Sequence, residues 1–293
     1  MRHKSLIAYL VIVTLLSAGY VVAMKFAGEM GGYLAQVFML IPAASALITR
    51  AFFDERRFAD AYLRLGRASH YLRFWLLSLG IAFLFFLSYA ALGAGHWDLS
   101  GSAFLSRLEE QFSGAGESMT DTLPPGMTPQ SMLLLFFVGG LTVFNILPGL
   151  ITGLGEEFGW RGLMFPRLYA IRPWVAFILG GLIWFAWHLL LTLVVPQAGP
   201  PMTIPEKLAI YAALAAGAVC TFMYLAYVYV KSQSIFVTAL AHIVMNNASA
   251  SFSYLFVVED PKLANLATAL VMLGVIIGLY VSGQLKIFRG YSP

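Results

Sequence analysis

Charge is the scarcest ingredient of this 293-residue chain: Asp, Glu, Lys and Arg together make up 11% of it. A soluble domain carries about 25% charged residues, so a water-exposed globular protein is excluded. Cysteine is nearly absent. The lone Cys220 sits in an apolar run, which rules out a disulfide framework and a cysteine metal site and leaves it as a buried packing residue. No internal repeat, low-complexity tract or polar linker interrupts the chain, and neither HExxH nor GxSxG occurs in it. What is abundant is hydrocarbon, with 60% hydrophobic residues and a mean hydropathy of +0.80.

A helix needs about 20 mostly apolar residues to cross a bilayer. Eight segments satisfy this, near 5–24, 33–53, 74–94, 132–153, 174–195, 208–230, 235–258 and 263–283. The expected fold is an all-α integral membrane protein of about eight transmembrane helices, a single polytopic domain over residues 1–293. The first segment follows a basic start, but its apolar run from Leu6 to Ala23 exceeds the ~7–15 residues of a signal peptide and is expected to be a retained span. With the N-terminus inside, only Lys25, Arg107, Lys207 and Lys262 of the 18 basic residues face out. By the positive-inside rule this favours an N-in, C-in orientation. Two connections promise more than turns. Phe58, Tyr62 and Leu65, at helical spacing among arginines in 54–73, predict a helix on the inner leaflet whose arginines anchor to anionic lipid, not nucleic acid. In 95–131, Phe104, Leu105, Leu108 and Phe112 share a helical face ahead of a turn-rich stretch, which allows either a short surface helix with a mobile cap or merely a long tether.

Against this background GLGEEFGWRG, residues 153–162, stands out. Of the 14 acidic residues only Glu156 and Glu157 adjoin a span directly; His188 and His242 lie inside spans, and Arg161 completes the set. An ionisable group at the centre of a spanning helix costs at least ~2.5–3.5 kcal/mol on insertion scales, which makes each a functional candidate. Structural explanations exist for them singly. A lone histidine, Asn246 or Asn247 can be an interhelical hydrogen bond, Arg161 can snorkel to headgroups, and Glu157 with Arg161 reads as an i, i+4 ion pair. That pairing leaves Glu156 without a partner. Several such groups on three helices favour one shared polar cavity. Measured from the basic residues at the inner surface, however, His188 lies ~8 Å deeper than His242 at 1.5 Å per residue, a gap that helix tilt, or a fifth span that starts nearer Ala176, has to absorb. Pro148 and the glycines at 149, 153, 155, 159 and 162 permit close helix approach and a kink near the glutamates.

Two chemistries fit these residues. A carboxylate in a site poor in water becomes a stronger base and, with a neighbouring imidazole, can activate water; the second histidine and an asparagine amide can donate to a developing oxyanion. Alternatively, Glu156, His188 and His242 make a zinc set with an open position. Zinc is the one cofactor left open.

The motifs then become specific. EEFGWR fits EExxxR, WFAWH is similar to FxxxH with Trp184 at the aromatic position, and HIVMN fits HxxxN. In this order on successive apolar helices, over residues 150–250, they resemble the CPBP family of intramembrane endopeptidases. That family includes the type II CAAX prenyl proteases (Ras-converting enzyme-like) and the bacteriocin-processing and abortive-infection proteins. The resemblance implies that Glu156 and His188 activate water and that His242 and Asn246 form the oxyanion pocket, with Glu157, Arg161 and Trp184 in support. It also implies a membrane-bound peptide or lipidated protein as substrate, and a multi-pass protein of a bacterial inner membrane with its site toward the cytoplasm. Trp184 in place of phenylalanine puts the pocket's shape in doubt more than its catalysis. Two rival readings of the same residues are a proton-coupled transporter and a non-catalytic scaffold or immunity protein.

Overall fold

The computed structural model describes residues 2–26, 36–55, 58–114, 118, 123–193 and 203–293. Arg56, Arg57, residues 120–122 of the turn-rich loop, residues 33–35 and residues 194–195 of the expected spans lie outside the described residues. Apolar segments with no flanking water must satisfy their own backbone, and they do so as helices. In chain order these are α1 (Arg2–Phe26), α2 (Ile41–Phe52), α3 (Ala68–Ala91), α4 (Ser102–Gly114), α5 (Pro129–Leu141), α6 (Val143–Gly159), α7 (Phe165–Tyr169), α8 (Pro173–Leu189), α9 (Ile204–Ser232), α10 (Ile235–Ser253) and α11 (Pro261–Val281).

Among the described residues six helices are long and apolar enough to span a membrane, and a seventh span forms if the bent pair Pro129–Leu141 and Ile146–Tyr169 counts as one. The remaining expected span, 33–53, is represented by a shorter apolar helix, Gln36–Phe52. The fold is therefore all-α and membrane-integral. The bent pair turns by 43°. Pro148 has no N–H to give the carbonyl four residues earlier, so the turn ahead of it is the weak point of the helix.

Helix α10 is the centre of the bundle, packed against α3, α5, α6 and α9. Its span is 67% buried, whereas the other five are 22–33% buried. It is also the least hydropathic of the six, because a helix surrounded by protein can carry polar residues that a lipid-facing one cannot. Helix α6 is held between α10 and α2 by two glycine faces. A Cβ on Gly149 or Gly153 would come within 2.6 or 2.5 Å of Ile243 of α10, and one on Gly159 within 2.5 Å of Pro42 of α2. These backbones touch because no side chain separates them.

The segment before α3 corrects an expectation. Residues 54, 55 and 58–67 form turns, not a surface helix. Tyr62 and Gly66 adopt positive φ, and the Tyr62 carbonyl accepts from Ile235 N–H at 3.1 Å. Two of the basic residues assigned to the Arg-rich end are buried instead of facing lipid. Arg50 donates to Asp60 at 2.8 Å, and Arg167 pairs with both Asp60 (2.5 Å) and Asp54. Arg50 also reaches the carbonyl of Gly162, whose i+4 partner would be Pro166, a residue without an N–H.

At the opposite end the surface helix appears as α4. Two three-residue strands, Gly95–Trp97 and Phe256–Val258, pair antiparallel with Gly95 opposite Val258. Gly95 is required there, since a Cβ would lie 2.0 Å from the Val257 carbonyl.

Candidate active site

The EExxxR sequence ends α6 in an unusual turn. Residues Trp160–Met164 form a π-helix, in which the N–H of Phe165 bonds back to the Trp160 carbonyl. The added residue changes the register of the helix just past the glutamates. Single π-turns are frequent at functional sites, and this one starts three residues after Glu157 and contains Gly162, whose carbonyl Arg50 reaches.

Glu156 and Glu157 are adjacent, so they point about 100° apart around α6 and meet different helices. Glu157 is fully buried, and its Oε1 accepts from Arg161 Nη1 at 2.7 Å and from His242 Nδ1 of α10 at 2.8 Å. Glu156 is 5% exposed and faces α8. Its Oε2 accepts from the indole N–H of Trp184 at 2.9 Å and lies 3.6 Å from His188 Nε2. Glu156 therefore has a partner that the motif pattern could not supply, because phenylalanine has no N–H. The His188 Nδ1 stands 2.8 Å from the Trp184 carbonyl, one turn back on its own helix. A carbonyl only accepts, so Nδ1 carries the proton and Nε2 turns its lone pair toward Glu156.

Trp184 is the hub. Its ring packs edge-on against His188 at 4.8 Å and His242 at 5.8 Å, and the Arg161 guanidinium lies 5.4 Å above it. The apparent difference in depth between the two histidines does not keep them apart, since both imidazoles pack against a single indole. Arg161 also stacks on Phe222 at 4.2 Å, which places a delocalised cation against aromatic faces where water is scarce. Its Nε and Nη2, and Glu157 Oε2, find no hydrogen-bond partner among the described residues.

Six of the residues named from sequence, Glu156, Glu157, Arg161, Trp184, His188 and His242, are gathered here. Asn246 is one turn beyond His242 on α10, and it is exposed. Cys220 is half-buried in α9. Among the described residues no three His, Cys, Asp or Glu side chains form a metal-ligand group. Glu157 and the Trp184 carbonyl engage the Nδ1 atoms of His242 and His188, so both Nε2 atoms, with the second oxygen of Glu156, are the ones that could ligate an ion.

Tyr9 was not anticipated. It is fully buried, lies edge-on to Trp160 at 5.8 Å, interacts electrostatically with Arg161, Glu156 and Glu157, and leaves its hydroxyl without a partner among the described residues. Tyr9 lies only five residues into the span Lys4–Phe26, near the membrane interface that tyrosines prefer, so its position gave no signal.

The class defined by this fold and site is a polytopic all-helical membrane protein with carboxylates and imidazoles enclosed among its spans. Residues 129–248 match the family model described as Rce1-like, type II CAAX prenyl endopeptidase, and this match supports the resemblance to the CAAX-type intramembrane proteases over the segment that carries the site. A search of curated proteins finds no match to the chain.

Proposed function

We propose that the protein hydrolyses a peptide bond of a membrane-associated substrate with water activated by Glu156 and His188. The observation that carries this reading is the facing pair, Glu156 Oε2 and His188 Nε2, 3.6 Å apart. Both atoms are acceptors. A group seated between them has to donate twice, and a water that does so keeps its oxygen lone pairs free to attack. As its oxygen bonds to the scissile carbonyl carbon, one proton passes to Glu156. When the C–N bond breaks, that proton leaves with the amine.

The carbonyl oxygen gains charge in the tetrahedral intermediate, and His242 and Asn246 are the donors we assign to it. Glu157 fixes the His242 Nδ1–H. A protonated His242 neutralises the one negative charge left by two carboxylates and one guanidinium, and its Nε2–H becomes a donor. Asn246 presents an exposed amide one turn away on the same helix. Glu157 and Arg161 act through His242 as positioning residues.

By family resemblance the substrate is a prenylated C-terminal peptide or a leader peptide, presented from the inner leaflet with both termini of the protein on the cytoplasmic side of a bacterial membrane. The test is cleavage of a prenylated peptide and of its unprenylated counterpart by purified protein, with and without a strong chelator. Cleavage that survives the chelator and is lost in Glu156→Gln supports the mechanism. Stoichiometric zinc, with activity lost to chelator and restored by zinc alone, would overturn the metal-free version.

A further inference from the structure

The positive-inside pattern treats the arginines at one end of the bundle as equivalent, but the structure sorts them into two groups. Arg50 and Arg167 are neutralised by Asp54 and Asp60. Arg64, Arg67 and Lys231 make no ion pair with a carboxylate among the described residues. Together with Gly66, His70, Ser232, Gln233 and Ile287 they line a cavity of about 420 Å³. No acidic side chain lines it.

The cavity is a shaped pocket, not a scatter of mobile surface charges. Gly66, at φ +76°, turns the chain so tightly that a Cβ would lie 3.0 Å from Ser234, and this brings Arg67 and His70 back against the end of α9. Arg64 donates through Nε to the Gln233 carbonyl at 2.9 Å and through Nη2 to its side-chain oxygen at 3.1 Å. Its guanidinium lies 4.8 Å over the Tyr62 ring. Lys231 is only partly exposed. The pocket also opens at the N-terminus of the 24-residue α3, whose cap residue Arg67 makes no side-chain capping bond. The partial positive charge of that helix end adds to the side-chain charges. His70, partly exposed, bonds to the Ser232 backbone and stands in the combined positive field of Arg67, Arg73 and Lys231, while its Nδ1 has no hydrogen-bond partner among the described residues.

We infer that this pocket binds a phosphate group, either of an anionic lipid headgroup or of a free phosphate. Its donors come from two segments distant in sequence, so occupancy ties the 62–70 connection to the end of α9 and the start of α10. This function is separate from the carboxylate–histidine site and does not depend on it.

The experiment uses the full chain in nanodiscs, either of phosphatidylcholine alone or with a fifth of the lipid replaced by phosphatidylglycerol. Inorganic phosphate is titrated to millimolar levels into the first at constant ionic strength. Thermal unfolding is followed for the wild type, Lys231→Gln, Arg67→Gln with Lys231→Gln, Lys231→Arg, and Arg107→Gln at the opposite end. A lipid site raises the wild-type midpoint by about 3 °C with phosphatidylglycerol and leaves it flat with phosphate. A free-phosphate site shows saturation in the titration and no gain from the lipid. In either case the response should vanish in the glutamine variants and persist in Lys231→Arg and Arg107→Gln. If the double variant does not fold, Lys231→Gln alone decides. Equal responses in the wild type and the glutamine variants, or no response in either arm, overturn the inference.

Discussion

Exchanging each glutamate of the adjacent pair for glutamine separates catalysis from structure, because the two carboxylates have opposite surroundings. Glu157 is fully buried and holds two partners through one oxygen, Arg161 at 2.7 Å and His242 at 2.8 Å. In Glu157→Gln the guanidinium, itself fully buried, loses its counter-charge, and removing one member of a buried pair costs about 3–5 kcal/mol. Each kcal/mol lowers the midpoint by roughly 2–4 °C in a protein of this size class, so the variant should melt about 6 °C or more below the wild type. Its activity should fall as well, since His242 loses its anchor. Glu156 accepts a hydrogen bond from a neutral donor, the Trp184 indole, which an amide oxygen can also accept. Glu156→Gln should therefore melt within about 2 °C of the wild type while peptide cleavage falls by about 10² or more, the usual worth of a general base. The assay is thermal unfolding in detergent beside the cleavage rate for each variant. Full activity in Glu156→Gln, or a Glu157→Gln that is inactive yet as stable as the wild type, would show that the two roles are assigned backwards.

Further expectations follow from single contacts. Trp184→Phe keeps the ring and deletes the N–H given to Glu156; a hydrogen bond to a charged group is worth about 1.5–3 kcal/mol, so kcat/KM should drop about tenfold or more, and kinetics identical to the wild type would refute the orienting role of the indole. Although burial pushes the Asp60 carboxyl up, Arg167 and Arg50 outweigh it and hold that carboxyl below the usual range. A depressed carboxylate contributes stability that is present above about pH 4 and is lost as pH falls further through its folded value. The melting temperature of the wild type should therefore decline more steeply than that of Asp60→Asn as pH drops below about 4, and parallel curves would count against the cluster. Gly159→Ala puts a Cβ within 2.6 Å of Pro42 and the Tyr9 hydroxyl, whereas Gly274→Ala meets nothing within 4 Å. The first should cost about 1–3 kcal/mol by overpacking and the second nothing, which chemical or thermal unfolding of both can check.

Much of this protein was determined by its sequence alone. The membrane class follows from hydrocarbon content, because no other fold buries so little charge, and the helical form follows from the need to satisfy backbone groups in lipid. The candidate site was legible for the same reason: an ionised side chain in a span is so costly that Glu156, Glu157, Arg161, His188 and His242 identify themselves. The pairing of Glu157 with Arg161 could be read from i, i+4 spacing, as could the short helix in the 95–131 loop from its apolar face. Only the tertiary structure decided which carboxylate meets which helix, since two adjacent residues diverge by about 100° and their partners lie far apart in the chain. Trp184 as a donor, Tyr9 beside the glutamates and the π-turn after Gly159 leave no periodic trace, being contacts between segments. The arginines make the same point. Composition placed them at one end of the bundle, but whether each is neutralised by an aspartate or left facing a pocket depends on how residues 54, 55 and 58–67 fold back over the helix ends. Hydropathy reports the solvent a segment prefers, and it is silent on the protein neighbours that the segment will meet there.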